Sequence, residues 1–219
     1  MSLTDQLLTT NQANRTKIDN ARLSIMDNAV QQLTDSGIEA NTPVKGDTLP
    51  AFSLPGVDGK TVSLQEVLKG RDFAVVSFYR GGWCPYCNLE LRALQQTLPE
   101  LKELNAALVA ITPETPDNSL TTSEKNELAF PVLSDLGNVY ARELGLVFSL
   151  PADLREVYDG FGIDLKKNNG DDLYELPLPA TFVIDADANI LLAFAPADYT
   201  KRLDPADILQ VLREHSVPA

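Results

Sequence analysis

Two thiols carry the chemistry that this chain can do. Cys84 and Cys87 are its only cysteines, separated by Pro85 and Tyr86 within the stretch Phe78 to Cys87, FYRGGWCPYC. Such a pair, placed where an apolar run stops, Gly81 and Gly82 turn the backbone and a helical pattern opens, is the usual form of a redox dithiol. A thiol is a nucleophile as its thiolate, and free cysteine, with a pKa of about 8.5, is mostly protonated at neutral pH. The unpaired amides and positive dipole end of a helix N-terminus favour the anion, and Pro85 at the first helical position removes an amide that would lack a partner anyway. Cys84, beside Trp83, is expected at that cap. Cys87, one turn on, can reach it, so the pair can cycle between dithiol and disulfide by exchange or through a sulfenic acid.

Other uses of the pair stand beside this one. The thiols can be inert core residues, or half of a zinc site that would need carboxylates or a second chain, because His215 is the only imidazole. A Cys–His catalytic pair would need that same histidine, which sits in the last helix, where a solvated surface residue is the plainer reading. Asp185, Asp187 and Asn189 imitate the start of a calcium loop, but Ile190 stands where its glycine should be, and a hairpin turn is expected. No cofactor-binding or metal motif is found.

The elements that must hold the thiols are readable on either side. Phe73 to Tyr79 is almost continuously apolar, as a strand buried on both faces should be. Leu91, Leu94, Leu98 and Leu101 follow Cys87 at helical steps, so Cys87 begins the buried stripe of a helix to about Leu104 and should be the more covered thiol. Pro99 should kink that helix or end it early. Ala106 to Thr112 is the next strand, parallel to the first through a right-handed crossover. A loop at Pro113 to Asn118, a helix at Ser119 to Leu128, a strand at Phe130 to Leu133 and a helix at Val139 to Leu144 follow. Thr181–Asp185 and Ile190–Phe194 read as an antiparallel pair, and Asp204 with Pro205 opens a last helix to about His215.

Upstream, Thr4 to Ser36 has the spacing of one or two amphipathic helices that can cover this chain or a second copy of it, and Gly37 stops them. Asp58-Gly59 between short apolar segments signals a hairpin. The expected organisation is an α/β fold with a mixed central sheet flanked by helices: residues 1–45 as a helical extension and linker, and 46–219 as the main domain, with an excursion at about 150–178.

Bulk properties narrow the function further. A net charge of −13 repels phosphate backbones and anionic membrane surfaces, so neither nucleic acid nor a membrane is an expected partner. The absence of a basic segment followed by an apolar core and cleavage site, and of an apolar run near the roughly 18 residues that span a bilayer, makes the cytoplasm the expected location.

The segments GDTLPAFSLPGVDGKTVSL, FAVVSFYRGGWCPYC, LVAITPETPDNS, ELAFPVLSDLGNVYARELGL and LPATFVIDADANI, in that order, resemble the thioredoxin-fold proteins, and among them the alkyl hydroperoxide reductase and thiol-specific antioxidant family of peroxiredoxins. The resemblance covers about Gly46 to His215 and implies a thioredoxin-like fold. Laid on the family pattern F-x-P-x-x-x-T-x-x-C, FYRGGWCPYC puts Cys87 at the peroxide-attacking position, Arg80 at the proline and Cys84 at the threonine. The family's late arginine is replaced by Pro179, where thioredoxin-like proteins carry a cis-proline, so a cis bond is expected there. Read instead as a thioredoxin, WCPYC makes Cys84 the exposed nucleophile and Cys87 the resolving thiol.

The resemblance thus implies a thiol-dependent antioxidant oxidoreductase. Its catalytic residues are Cys84 and Cys87, supported by Arg80, Trp83, Pro85 and Pro179, and it needs no cofactor and no metal. Its oxidant is a peroxide or a disulfide, its reductant an external thiol of thioredoxin or glutathione type, and a homodimer is a candidate assembly. A disulfide oxidoreductase without peroxidase activity and a non-enzymatic scaffold or metal-binding protein on the same fold are the alternatives.

Overall fold

Strand β3 (Phe73–Phe78) shows why the fold centres where it does: all six residues are buried, with Phe73 and Val75 facing one apolar cluster and Ala74, Val76 and Phe78 the other. Side chains alternate across a strand, so a continuous apolar run needs a layer on each face. The computed structural model of the chain describes residues 1–216. In chain order its other elements are α1 (Leu3–Arg15), α2 (Asn20–Asp35), β1 (Ser53–Pro55), β2 (Thr61–Ser63), α3 (Leu64–Leu68), α4 (Pro85–Glu103), β4 (Ala106–Thr112), α5 (Pro116–Lys125), β5 (Val132–Ser134), α6 (Val139–Glu143), β6 (Val147–Ser149), α7 (Ala152–Gly160), α8 (Leu165–Asn169), β7 (Glu175–Pro177), β8 (Ala180–Asp185), β9 (Ile190–Phe194) and α9 (Pro205–His215).

The central sheet runs β5-β4-β3-β8-β9, with β3, β4 and β5 parallel and β8 antiparallel to both β3 and β9. This is the expected mixed sheet. Helix α4 lies across one face and buries Cys87, Leu91, Leu94, Leu98 and Leu101. Pro99 does not end it, because Pro99 is exposed and the carbonyl that its missing amide leaves free belongs to half-buried Gln95, within reach of water. Helix α5 begins at Pro116, three residues before Ser119, because Pro116 takes the N1 position that suits its fixed φ. Asp185 accepts from the amides of Asp187 and Asn189, which makes that acidic cluster the turn between β8 and β9.

The N-terminal helices fold back on their own chain. Leu3 and Leu7 of α1 enter the cluster of α4, while Ile25, Met26 and Ala29 of α2 pack on that of Leu154 and Tyr158 in α7. Residues 150–178, whose weak periodicity predicts a single helix, carry two, α7 and α8, and the excursion is closed at its base by the antiparallel pair β6–β7. Three-residue strands are too short to show alternation, which is why they escape a periodicity reading.

Candidate active site

The backbone entering the site has no room for side chains. A Cβ on Gly81 would stand 2.2 Å from Trp83 Nε1, and one on Gly82 would stand 2.0 Å from Thr122 Oγ1. Glycine at both positions lets β3 turn sharply into α4. Asn88 Nδ2 then ties the loop down, donating to the carbonyls of Gly82 (2.8 Å) and Cys84 (3.0 Å), and Glu114 accepts from the Gly82 amide at 2.9 Å. Cys84 becomes the N-cap of α4 and Pro85 its first residue, as the spacing predicts.

Both thiols are free and buried, at 1% exposure for Cys84 and none for Cys87. The exposed Cys84 expected from the WCPYC pattern is therefore corrected. Tyr158, Phe161 and Ile163 of the excursion and Asn14 and Ile18 from the N-terminal region roof it, forming a cavity of about 390 Å³ on which Cys84 opens, together with Arg80, Trp83 and Pro85. Cys87 does not line that cavity.

Arg80 is 2% exposed and sits among aromatic rings, its guanidinium carbon 4.5 Å from the ring centre of Tyr199, 5.1 Å from Trp83 and 5.7 Å from Tyr158, and it donates to the Tyr158 hydroxyl. Trp83 meets Tyr158 edge-on at 5.6 Å. Pro179 lines a second cavity with Arg80, Tyr158 and Tyr199 rather than that of Cys84. Its peptide bond is trans, against the expected cis, as X-Pro bonds are by intrinsic preference, and β8 begins at the next residue, Ala180, paired with Phe78.

A second guanidinium reaches the thiols from a part of the chain that motif spacing does not connect to them. Arg202, in the loop ahead of α9, donates from Nη2 to Cys87 Sγ at 3.0 Å and from Nε to Glu90 at 2.5 Å, while its Nη1 bonds the carbonyls of Tyr199 and Lys201 at 2.7 Å each. Glu90 is three residues past Cys87 on the same helix face, and an acidic residue in a leucine stripe was the available sign of a buried pair. Burial holds the Glu90 carboxyl up at about 7 against the pull of Arg202, and holds Glu114 at about 7 against the Gly82 amide.

The thiols split. Burial opposes charge on Cys84, but hydrogen bonding from Cys87 and the guanidinium groups of Arg80 and Arg202 outweigh it and bring the thiol down to about 5. Burial pushes Cys87 up, helped by its hydrogen bond to Cys84 and the neighbouring negative charge. Arg202 pulls the other way on Cys87, but less strongly than burial and the neighbouring Cys84 push it up. Two buried thiols this close share one proton, and the one at the helix cap gives it up.

This dithiol at a strand-to-helix turn, beside a mixed sheet of this order, lies within a segment, residues 45–193, that matches the family model for AhpC/TSA. The chain belongs to the AhpC/TSA family. Among its relatives, it is 36% identical over 110 residues to the chloroplastic peroxiredoxin Q of Populus jackii, covering 50% of this chain and 49% of that one, so it spans about half the length of that relative. It is 28% identical over 175 residues to peroxiredoxin Bcp of Escherichia coli strain K12, covering 80% of this chain and 99% of that one. The solved structure of peroxidoxin BcpB from Mycobacterium tuberculosis superposes with a TM-score of 0.62 at 23% identity, over 78% of this chain and 97% of the other, and peroxiredoxin Q from Xanthomonas campestris with 0.57 at 17%, over 80% and 98%. These two likenesses establish the thioredoxin-like peroxiredoxin fold. His215, the only histidine, is exposed with its ring nitrogen on the Val211 carbonyl, away from the dithiol.

Proposed function

We propose that this AhpC/TSA protein is a thiol-dependent peroxidase in which Cys84 is the attacking thiol and Cys87 the resolving one. The observation that carries this is the Cys84 thiolate, held near 5 at the cap of α4 and opening on a cavity beside the buried Arg80 guanidinium. In the first step the Cys84 sulfur attacks one peroxide oxygen, the O–O bond breaks, and the products are a Cys84 sulfenic acid and, after protonation, an alcohol or water. In the second, the Cys87 sulfur attacks Cys84, water leaves and the disulfide forms. Two equivalents of an external thiol, of thioredoxin or glutathione type, then restore the dithiol, in a compartment such as the cytoplasm where thiols are kept reduced.

A second reading has its own observation: Arg202 lies 3.0 Å from Cys87, the position that attacks peroxide in the family pattern. In that version the roles exchange and Cys84 resolves. In both, one equivalent of hydroperoxide added to the reduced protein should be consumed stoichiometrically with loss of two titratable thiols and formation of a Cys84–Cys87 disulfide, visible by peptide mass spectrometry. No peroxide consumption, with ready reduction of a disulfide substrate, would contradict the peroxidase reading and leave a disulfide oxidoreductase.

A further inference from the structure

The second cavity, of about 200 Å³, shares Arg80, Tyr158 and Tyr199 with the cavity of Cys84 but does not reach either thiol. Ala29, Val30 and Leu33 of α2, Phe148 of β6 and Leu154 of α7 make its walls apolar, and exposed Gln32 and Ser149 stand at its rim. In a chain with 31 acidic residues, none of those described lines this cavity, and Arg80 is the only charged side chain on its wall.

Arg80 is not fully partnered. Its Nε is buried without a hydrogen-bond acceptor, and no carboxylate stands within ion-pair distance of it among the described residues. A buried guanidinium with aromatic faces but no anion is costly unless a negative charge is near. Inside the protein the group that supplies that charge is Cys84 as its thiolate, which lines the same cavity as Arg80. Forming the Cys84–Cys87 disulfide removes it, because neither sulfur then carries a charge. Arg80 is left on the wall of an apolar space with no anion beside it.

We propose that this cavity binds a small apolar carboxylate, the carboxylate on Arg80 and the hydrocarbon against Ala29, Val30 and Leu33, and that it does so preferentially when the dithiol is oxidised. An apolar cavity of about 150 Å³ takes up benzene, so the space fits a ligand of benzoate size. A carboxylate supplies the Arg80 guanidinium with an anionic partner and the charge that the disulfide takes away. Coupling between sites is reciprocal, so such a ligand holds the protein in its disulfide form by the same factor by which the disulfide tightens binding. The proposal goes beyond peroxidase chemistry: it needs only that the two thiols form a disulfide, whatever the oxidant.

Fluorine NMR titration of para-fluorobenzoate into the full chain tests this without any activity measurement. The disulfide form should bind saturably, the reduced form about tenfold more weakly, and neutral para-fluorobenzyl alcohol about tenfold more weakly than the acid to the disulfide form. Ala29→Trp and Val30→Trp, each filling the cavity from α2, should abolish binding while the circular dichroism spectrum stays that of the wild type. The wild-type comparisons of charge and redox state stand even if one variant misfolds. No binding, equal affinity in the two redox states, equal affinity for acid and alcohol, or undiminished binding to a folded tryptophan variant would overturn it.

Discussion

Arg202 Nη2 lies 3.0 Å from Cys87 Sγ while its Nε holds Glu90, so a residue 115 positions along the chain sets the second thiol of the dithiol. The family pattern has its late arginine where this chain has Pro179, and Arg202 brings a guanidinium to the thiols from the loop ahead of α9 instead. Its side chain and that of Glu90 are 1% and 2% exposed. Arg202→Met should therefore destabilise the fold by about 3–5 kcal/mol, the cost of leaving a buried carboxylate without its partner. Replacing Glu90 by Leu in the same protein should recover much of the loss, and urea unfolding of both variants checks it.

Arg80→Leu removes a guanidinium whose field lowers the Cys84 thiol. The thiolate absorbance of the wild type should titrate near 5, and that of the variant at higher pH. With less thiolate present, iodoacetamide alkylation of the variant at pH ~5 should be slowed about fivefold. An unchanged titration would show that the Cys87 hydrogen bond and Arg202 suffice alone.

Gly82→Ala places a methyl group 2.0 Å from Thr122 Oγ1. The turn into α4 must then move, and we expect a loss of about 1–3 kcal/mol with slower thiol chemistry. Thr122→Ala in the same chain should restore part of both, because the colliding oxygen is gone while the Thr122 Cβ remains 3.1 Å away.

Glu114 gives a pH dependence of definite sign. Its carboxyl stands at about 7 against an ordinary 4.5, so between those values the folded chain holds a proton that the unfolded chain has lost. That contribution is complete below the ordinary value and is lost as pH rises through about 7. Glu114→Gln keeps an acceptor for the Gly82 amide without the titration, so the stability of the variant relative to wild type should grow by ~2 kcal/mol between pH ~5 and ~8. Denaturant midpoints of the two proteins at both values measure it.

Local pattern made much of this legible. The apolar run of β3, the Cys87–Leu101 stripe of α4 and the Pro85 start each state their structure within a few residues, and the parallel pairing of β3 with β4 follows from them. What spacing could not show is assembled from afar: Arg202 and Tyr199 come from the loop before α9, Glu114 from the loop between β4 and α5, and Tyr158 from an excursion closed by three-residue strands that carry no period. The same excursion explains why Cys84 is buried where a bare WCPYC motif suggests exposure. Pro179 was legible as a residue near the site, but its bond is trans, the isomer that X-Pro bonds favour where nothing imposes the other.

The division of labour between the thiols is the central claim, and single-turnover peroxide reduction by the two serine variants tests it most directly. Cys87→Ser should consume one equivalent of hydroperoxide at close to the wild-type rate and leave a dimedone-trappable sulfenic acid on Cys84, whereas Cys84→Ser should be inert. Rapid consumption by Cys84→Ser, with the sulfenic acid on Cys87, would contradict the account and assign the attack to the thiol that Arg202 holds.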